Sequence, residues 1–397
     1  MIKYTYTAKN KDGELINGQV EADSVSAASK TLTSKGFYPV DIRTSDKTAF
    51  SFFNRISLKD KAFFTRQLAT TIGVGLPISQ ALKVISDEVT NKALSEIVNH
   101  VLRDVEGGTQ LSTAFARYPN LFSKADLALV AAGETSGDLD KILKRLATNI
   151  EKDSNISRKV VSALFYPLFV LIVVLVLMLL MTFYIMPQME DIYKSLNSEL
   201  PFLTRSMIGF SNFLQKGWFL MVLFTAAIVI AAKQFVKTKK GEFLFDNLKI
   251  NIPVIGSFMR KYYAGKFSRT MAGLVAAGVS ILDSLDITAK AVGNVVYHDI
   301  LISSISEVKN GVPLSTELKK AIEFPPIVSQ MLLVGEQTGE IDTMLENLAD
   351  YFDEEVDAFV KGIMGVIEPF MIVFMGGIVG VVLVAVMLPI YSLGKVI

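Results

Sequence analysis

One motif occurs twice in this chain. GETSGDLDKIL starts at Gly133, and GEQTGEIDTML starts at Gly335. Upstream of the motif the two copies match at a spacing of 203 residues, and from the motif onward they match at 202. Matched pairs are Arg66 with Arg269, Gly75 with Gly278, Leu82 with Leu285, Gly108 with Gly311, Ser112 with Ser315 and Pro167 with Pro369. Because each copy runs into a long charge-free segment, the repeated unit contains a membrane segment, and gene duplication is the simplest origin.

Composition limits the classes of function. The chain has 397 residues, 51% of them hydrophobic, which favours a membrane protein with sizeable soluble parts. A net charge of +1 gives no overall indication of nucleic-acid binding. The absence of cysteine excludes disulfides, thiolate metal sites and a cysteine nucleophile. The segment MIKYTYTAKNKDGE lacks the apolar core of a signal peptide, so we expect the first domain in the cytoplasm.

Three segments are predicted to cross the membrane: 163–186, 217–233 and 367–389. Lysines and arginines before the first segment and after the second predict that both flanks are cytoplasmic, although the lysines at 233–240 could also form a patch for anionic lipid. Residues 187–216 then form an extracytoplasmic loop. The N-terminus is expected inside and the C-terminus outside, with Lys395 as a mild exception to the charge bias.

Apolar residues at helical spacing predict two homologous cytoplasmic helical bundles, module 1 (57–160) and module 2 (257–360). The last apolar stripe of module 1 is expected to continue into the first membrane helix. Alternating residues and an Asp12-Gly13 turn predict a small α+β domain over 1–45, with Ser24 as a helix cap. Residues 46–56 look like a linker. The predicted fold is therefore mainly α and polytopic, with a small α+β appendage.

No residue pattern indicates a catalytic, cofactor or metal site. The chain lacks a GxxxxGK[ST] loop, so it has no recognisable nucleotide site and is not expected to be its own motor. His100 and His298 do not occupy matched positions, which favours surface or packing roles over metal binding. A transporter would need charged groups within the membrane cores, which contain none, since Glu368 lies at the inner boundary of the third segment. A prepilin-processing peptidase would need membrane-proximal aspartates, whereas Asp283 and Asp286 lie in a module 2 helix.

Repeated polar residues are the candidate coupling or structural positions. They are Arg66 and Glu134 in the first copy and Arg269 and Glu336 in the second, together with the motif glycines Gly137 and Gly339. One hypothesis pairs each arginine with the glutamate of its own module. The junction would then either stabilise the module or transmit motion to the membrane helix. A comparison of Glu134→Gln with Arg66→Lys separates these two interpretations, since only transmission leaves a stable, inserted but inactive protein.

Small residues and prolines mark the membrane helices as packing candidates. Gly376 and Gly380 have the GxxxG spacing that allows another helix to approach closely, within this chain or from another. Pro167 and Pro369 occupy matched positions near the start of their segments.

The repeated GExxG[DE]xDxxL motif, the segments GVGLPISQAL and AAGVSILDSL, the three membrane segments and the terminal MLPIY together resemble the GspF/PilC family of inner-membrane platform proteins. The resemblance covers nearly the whole chain. It implies a non-enzymatic platform of a type IV pilus or type II secretion machine in the inner membrane. The implied partners are a hexameric assembly ATPase, pilin or pseudopilin subunits, other inner-membrane assembly proteins, lipid and further copies of the chain. Nucleic acid and cofactors are not implied.

Overall fold

The computed structural model describes residues 2–9, 15–22, 25–34, 36–44, 56–185, 187–188, 191 and 202–393. The predicted Asp12-Gly13 turn, the Ser24 cap, Lys395, nearly all of the 46–56 linker and much of the 187–216 loop lie outside these residues. The described chain divides into two compact units. One is Met1–Ser57 with Val89–Ile97, and the other is Leu58–Glu88 with Val98–Ile397.

The smaller unit contains an antiparallel sheet in the order β2-β1-β3. Strand β1 pairs along its whole length with β2, and its pairing with β3 shifts register between Thr7 and Ala8. Ala8 and the helix residue Leu32 are buried. The elements are β1 Ile2–Lys9, β2 Leu15–Ala22, α1 Val25–Ser34 and β3 Tyr38–Thr44.

The remaining elements are helices, and they follow the repeat. The first copy contains α2 Leu58–Gly73, α3 Ile78–Glu88, α4 Lys92–Glu106, α5 Leu111–Ala116, α6 Lys124–Ser136 and α7 Leu139–Leu180. The connecting helices are α8 Phe202–Val236 and α9 Lys239–Asn251. The second copy contains α10 Ile255–Ala276, α11 Ile281–Val292, α12 Val295–Lys309, α13 Leu314–Lys320, α14 Pro326–Thr338 and α15 Ile341–Leu393. Helices α2 to α7 therefore correspond one by one to α10 to α15.

The same aromatic contact lies in the core of both modules. In module 1 the ring centroids of Phe64 and Phe122 are 6.2 Å apart, and in module 2 those of Phe267 and Phe324 are 5.1 Å apart. All four rings are buried, and both contacts have the tilted, edge-on geometry that aromatic pairs favour. The repeat in sequence is thus a repeat in packing.

In the part of the chain that the structure describes, two helices are long and apolar enough to cross a membrane. The first runs through α7 and a short π-helical segment, Met181–Ile185, and the second is α15. Only 12% and 6% of their most apolar windows are buried, so neither resembles the enclosed core helix of a soluble protein. Helix α7 runs unbroken from module 1 into its apolar segment, as the sequence predicts.

The second predicted membrane segment differs from the structure in its bounds. Helix α8 begins at Phe202, inside the predicted 187–216 loop, and not near 217. The stretch 202–217 contains few helix-breaking residues, so the helix extends beyond the purely apolar run that the prediction used as its limit. Within the residues that the structure describes, the apolar part of α8, Leu223–Val236, is shorter than a full crossing.

Candidate functional site

The two copies of the GExxG motif form the turn that joins each module to its long helix. Gly137 ends α6 with φ +79°, and Gly339 ends α14 with φ +78°. This left-handed conformation is accessible to glycine without a steric penalty. The first glycine of each motif serves another purpose: a Cβ on Gly335 would lie 2.9 Å from the Cα of Ile341, and Gly133 is similarly crowded by Ile142. The glycines therefore let the helix pair pack closely and turn sharply.

The glutamate of the motif caps a short neighbouring helix. The Glu134 carboxylate accepts hydrogen bonds from the backbone N–H groups of Leu111 and Ser112, the latter at 3.2 Å, and from the Ser112 hydroxyl at 2.5 Å. Helix α5 needs this partner because its own N-cap residue, Gln110, supplies no side-chain hydrogen bond.

The second copy repeats this cap. Glu336 accepts hydrogen bonds from the Ser315 backbone N–H at 3.2 Å and from the Ser315 hydroxyl. Pro313, the N-cap residue of α13, likewise supplies no side-chain hydrogen bond. The repeated Ser and Glu thus form the same contact between two helices in each module.

The predicted pairing of each arginine with the motif glutamate is wrong. Arg66 pairs with Glu151 of α7, its Nε lying 2.5 Å from Glu151 Oε1. Arg269 pairs with Asp353 of α15. The motif glutamates are unavailable because the backbone amides of the short helices already bind them. Glu151 and Asp353 are matched at the 202-residue spacing, so two acidic residues at equivalent positions were the sequence signal for the true partners.

The hydrogen bond between Arg66 and Glu151 favours the ionised form of both groups. It raises the pKa of Arg66 and lowers the pKa of Glu151. A carboxylate with a lowered pKa in the folded state stabilises the fold above its ordinary pKa of about 4.3, and this contribution is lost as the pH falls through the folded-state value.

We expect Glu151→Gln to lower the unfolding temperature of the detergent-extracted full chain at neutral pH. The difference from the parent chain should shrink as the pH falls below the ordinary carboxyl pKa and vanish once Glu151 is protonated in the folded chain, because both proteins then lack the charge. Scanning calorimetry across this pH range measures it. Glu354→Gln, which changes an exposed carboxylate of α15, is the control. A deficit that persists unchanged in acid would mean that packing, and not charge, accounts for the contribution of Glu151.

Oppositely charged side chains join the two long helices above their apolar segments. We call this set the charge ladder. Lys152 Nζ lies 2.6 Å from Asp350 and 2.9 Å from Asp353, and burial of the ammonium is outweighed by these hydrogen bonds, which raise the pKa of Lys152. The ladder consists of Arg145, Lys152 and Lys159 on α7 and Glu346, Asp350, Asp353 and Asp357 on α15.

The ladder has the spacing of a two-helix seam. Its basic residues recur every seven positions along α7, and its acidic residues recur at four and three along α15. Such spacing keeps side chains on the facing sides of two nearly parallel helices. The Lys159–Asp357 pair is the last before the charge-free segments begin. The ladder therefore couples the two copies down to the level where the apolar helices start.

Two further contacts hold the modules together. Arg269 of module 2, which is only 8% exposed, also binds Asp153 of module 1 at 2.9 Å. An apolar cluster includes Leu129 and Ile142 of module 1 and Leu274 of module 2. Arg269 thus differs from its counterpart Arg66, because it bridges the copies as well as binding its own long helix.

The prolines and glycines that were predicted to pack the apolar helices have different surroundings from one another. Pro167 lies inside α7 and Pro369 inside α15, so both copies keep a proline within the helix. A Cβ added to Gly376 or Gly380 would meet no atom within 4 Å in the part of the chain that the structure describes. The predicted packing role of this glycine face therefore stays a prediction.

Comparison with known proteins agrees with this duplicated architecture. The family description "Type II secretion system (T2SS), protein F" matches residues 64–187 and again 267–389, and that of its N-terminal domain matches residues 1–43. Similar proteins include the type IV pilus assembly protein PilC of Thermus thermophilus (37% identical, covering 98% of each chain) and PilC of Myxococcus xanthus (34% identical, covering 98% of this chain and 95% of the other). The type II secretion system protein F of Xanthomonas campestris pv. campestris is 30% identical over 98% of each chain. The chain therefore belongs to the protein F family of type II secretion and type IV pilus assembly systems.

Proposed function

We propose that this chain is a non-enzymatic inner-membrane platform that couples a cytoplasmic assembly ATPase to the extraction of pilin or pseudopilin subunits from the membrane. The observation that carries the proposal is the continuity of each module with an apolar helix. Helix α15 has 53 residues, roughly 80 Å at 1.5 Å per residue, and contains both module and membrane parts. A force applied to the module is therefore applied to the membrane helix.

The proposed topology has three membrane helices, with the N-terminal domain and both modules in the cytoplasm and the C-terminus outside. Helices α7 and α15 are the two crossings with sufficient length and composition. The third crossing lies in α8, and it is required because two modules joined by the charge ladder must share one side of the membrane. The exposed basic residues Lys233, Lys237, Lys239 and Lys240 at the end of α8 support a cytoplasmic exit.

Coupling through the modules rests on the junction and the ladder. The motif glycines and the glutamate cap fix the angle at which each long helix leaves its module, and the charge ladder holds the two long helices side by side. Displacement of one module is therefore expected to move both membrane helices. Arg66, Arg269, Glu134 and Glu336, with Gly137 and Gly339, are proposed to maintain this linkage.

We expect the chain, reconstituted in lipid vesicles, to bind its cognate assembly ATPase with a Kd of about 1 μM or tighter. Binding should change the rate of ATP hydrolysis, because the ATPase then works against the platform. Sedimentation of the vesicles and a phosphate-release assay measure both effects. Vesicles without the chain, and the chain with an unrelated hexameric ATPase, are the controls. Absence of association, together with hydrolytic or transport activity of the chain alone, would refute the proposal.

A further inference from the structure

A cavity lies between the two long helices where their apolar segments begin. It has a volume of about 310 Å³ and is lined by Ser162, Ala163, Tyr166, Pro167, Met364, Ile367 and Glu368. It lies just beyond the Lys159–Asp357 pair, the last of the charge ladder. We call it the boundary cleft. Its position places it at the cytoplasmic edge of the proposed membrane region.

Glu368 is an unusual residue for this position. Its side chain is exposed, and within the described ranges it has no hydrogen-bond or ion-pair partner. The neighbouring acidic residues Asp353 and Asp357 are paired with cations of α7, whereas Glu354 is exposed and unpaired among the described residues. At the cytoplasmic edge of the proposed membrane region an exposed carboxylate stays within reach of water, so Glu368 can remain charged there and attract a cation. The matched residue of the first copy is Tyr166, so the duplication alone does not account for an acid here.

The remaining polar groups of the cleft are hydrogen-bond acceptors or hydroxyls. Pro167 has no N–H, so the carbonyl of Ala163 cannot receive the usual helical hydrogen bond. Ser162 and Tyr166, whose side chains carry hydroxyls, line the same cavity. Glu368 adds the only formal charge among the lining residues. This arrangement suits a cationic donor and is unsuited to an anion.

We propose that the boundary cleft binds a lysine or arginine side chain at the cytoplasmic end of a partner protein's membrane helix, with Glu368 as its counter-ion. Membrane helices commonly carry such cations at this depth, because cytoplasmic flanks are enriched in lysine and arginine. The apolar side chains of Met364 and Ile367 can pack against the methylene stem of such a residue. The inference rests on the proposed function in one respect, namely that the platform binds subunits embedded in the membrane.

A lipid ammonium group is the competing source of the same charge. In phosphatidylethanolamine, however, the ammonium group is carried beside its own phosphate, which already partly neutralises it. A lysine on an apolar helix has no such internal counter-ion, so it gains more from pairing with Glu368. The protein partner is therefore the better match.

The test uses the full chain in vesicles and a synthetic Leu/Ala peptide of about 20 residues with one lysine at its end. A matched peptide carries glutamine instead. Because the chain has no cysteine, Val161→Cys places a single fluorescent label beside the cleft at a position that is 63% exposed. Energy transfer from this label to a labelled peptide reports association.

The parent chain should bind the lysine peptide about three- to tenfold more tightly than the glutamine peptide, the range for polar contacts between membrane helices. Glu368→Gln should abolish the preference, whereas Glu368→Asp and the control Glu354→Gln should retain it. Thermal unfolding of each variant shows whether it is folded. If Glu368→Gln does not fold, Glu368→Asp, which keeps the negative charge, still tests whether a carboxylate here prefers the lysine peptide. Equal binding of both peptides by the parent chain would overturn the proposal.

The lipid source is tested without peptide. When phosphatidylethanolamine replaces part of the phosphatidylcholine in the vesicles, the emission of the label should respond in the same way in the parent chain and in Glu368→Gln. A change that depends on Glu368, with no preference for the lysine peptide, would assign the cleft to a headgroup and refute the proposal. No ATPase is present in either arm, so failure here is distinct from failure of the proposed coupling.

Discussion

Lys152→Glu is expected to loosen the contact between the two modules and to lower filament assembly or secretion strongly. The change removes the pairs with Asp350 and Asp353 and places a third carboxylate between them. Lys152 is 34% exposed, so solvent screens each pair, and the combined loss and repulsion amount to about 2 kcal/mol. This is comparable to the total energy that allosteric couplings typically carry.

Spin labels measure the separation directly. Cysteines introduced at Val74 and Ile322, which are 72% and 79% exposed, report one module each. We expect a narrow distance distribution in the parent chain and a broader one in Lys152→Glu. High salt should also broaden the distance distribution of the parent chain, because the charge ladder is partly exposed and dissolved ions screen its pairs. Lys141→Glu is the matched control, since Lys141 pairs only with Asp138 of its own module.

Charge exchange decides whether the ladder itself is responsible. Adding Asp350→Lys to Lys152→Glu restores one oppositely charged pair and should recover most of the narrow distribution and of the activity. Failure of the double variant, with both single variants folded, would show that Lys152 acts through something other than these pairs.

Glu336→Ala is expected to cost about 2 to 4 kcal/mol of stability, and Glu134→Ala a similar amount. Each substitution removes an ionised acceptor from the N-terminus of a short helix that has no side-chain cap of its own. Denaturant unfolding of the full chain in detergent measures the loss, and Glu340→Ala, an exposed acid four residues along the chain, is the control. An inserted, fully stable but inactive Glu336→Ala protein would instead favour transmission through the junction.

The sequence alone predicted the features that repeat locally. Apolar stripes and paired glycines located the helices of both modules, and the spacing of 203 and 202 residues related them. The glutamate contacts were missed because Glu134 was paired by charge with Arg66, whereas its partners are backbone amides, which no side-chain pattern displays. Glu151 could have been found from its match with Asp353.

The charge ladder was harder to predict for a different reason. It joins residues that are not matched in the repeat, such as Lys152 and Asp350. Comparing the sequences of the two copies identifies residues that both copies carry. It does not identify a contact between a residue that only the first copy carries and one that only the second copy carries. The start of α8 was missed because an apolar run defines where a membrane core lies and not where its helix begins.

The one-sided charge of the ladder also makes the two long helices unlike partners. All of its cations lie on α7 and all of its anions lie on α15, although the two helices come from matched copies of one repeat. Two α7 helices placed face to face would bring cations together, and two α15 helices would bring carboxylates together, so either pair would repel. The ladder therefore favours the pairing of α7 with α15 over the pairing of two like helices from separate chains.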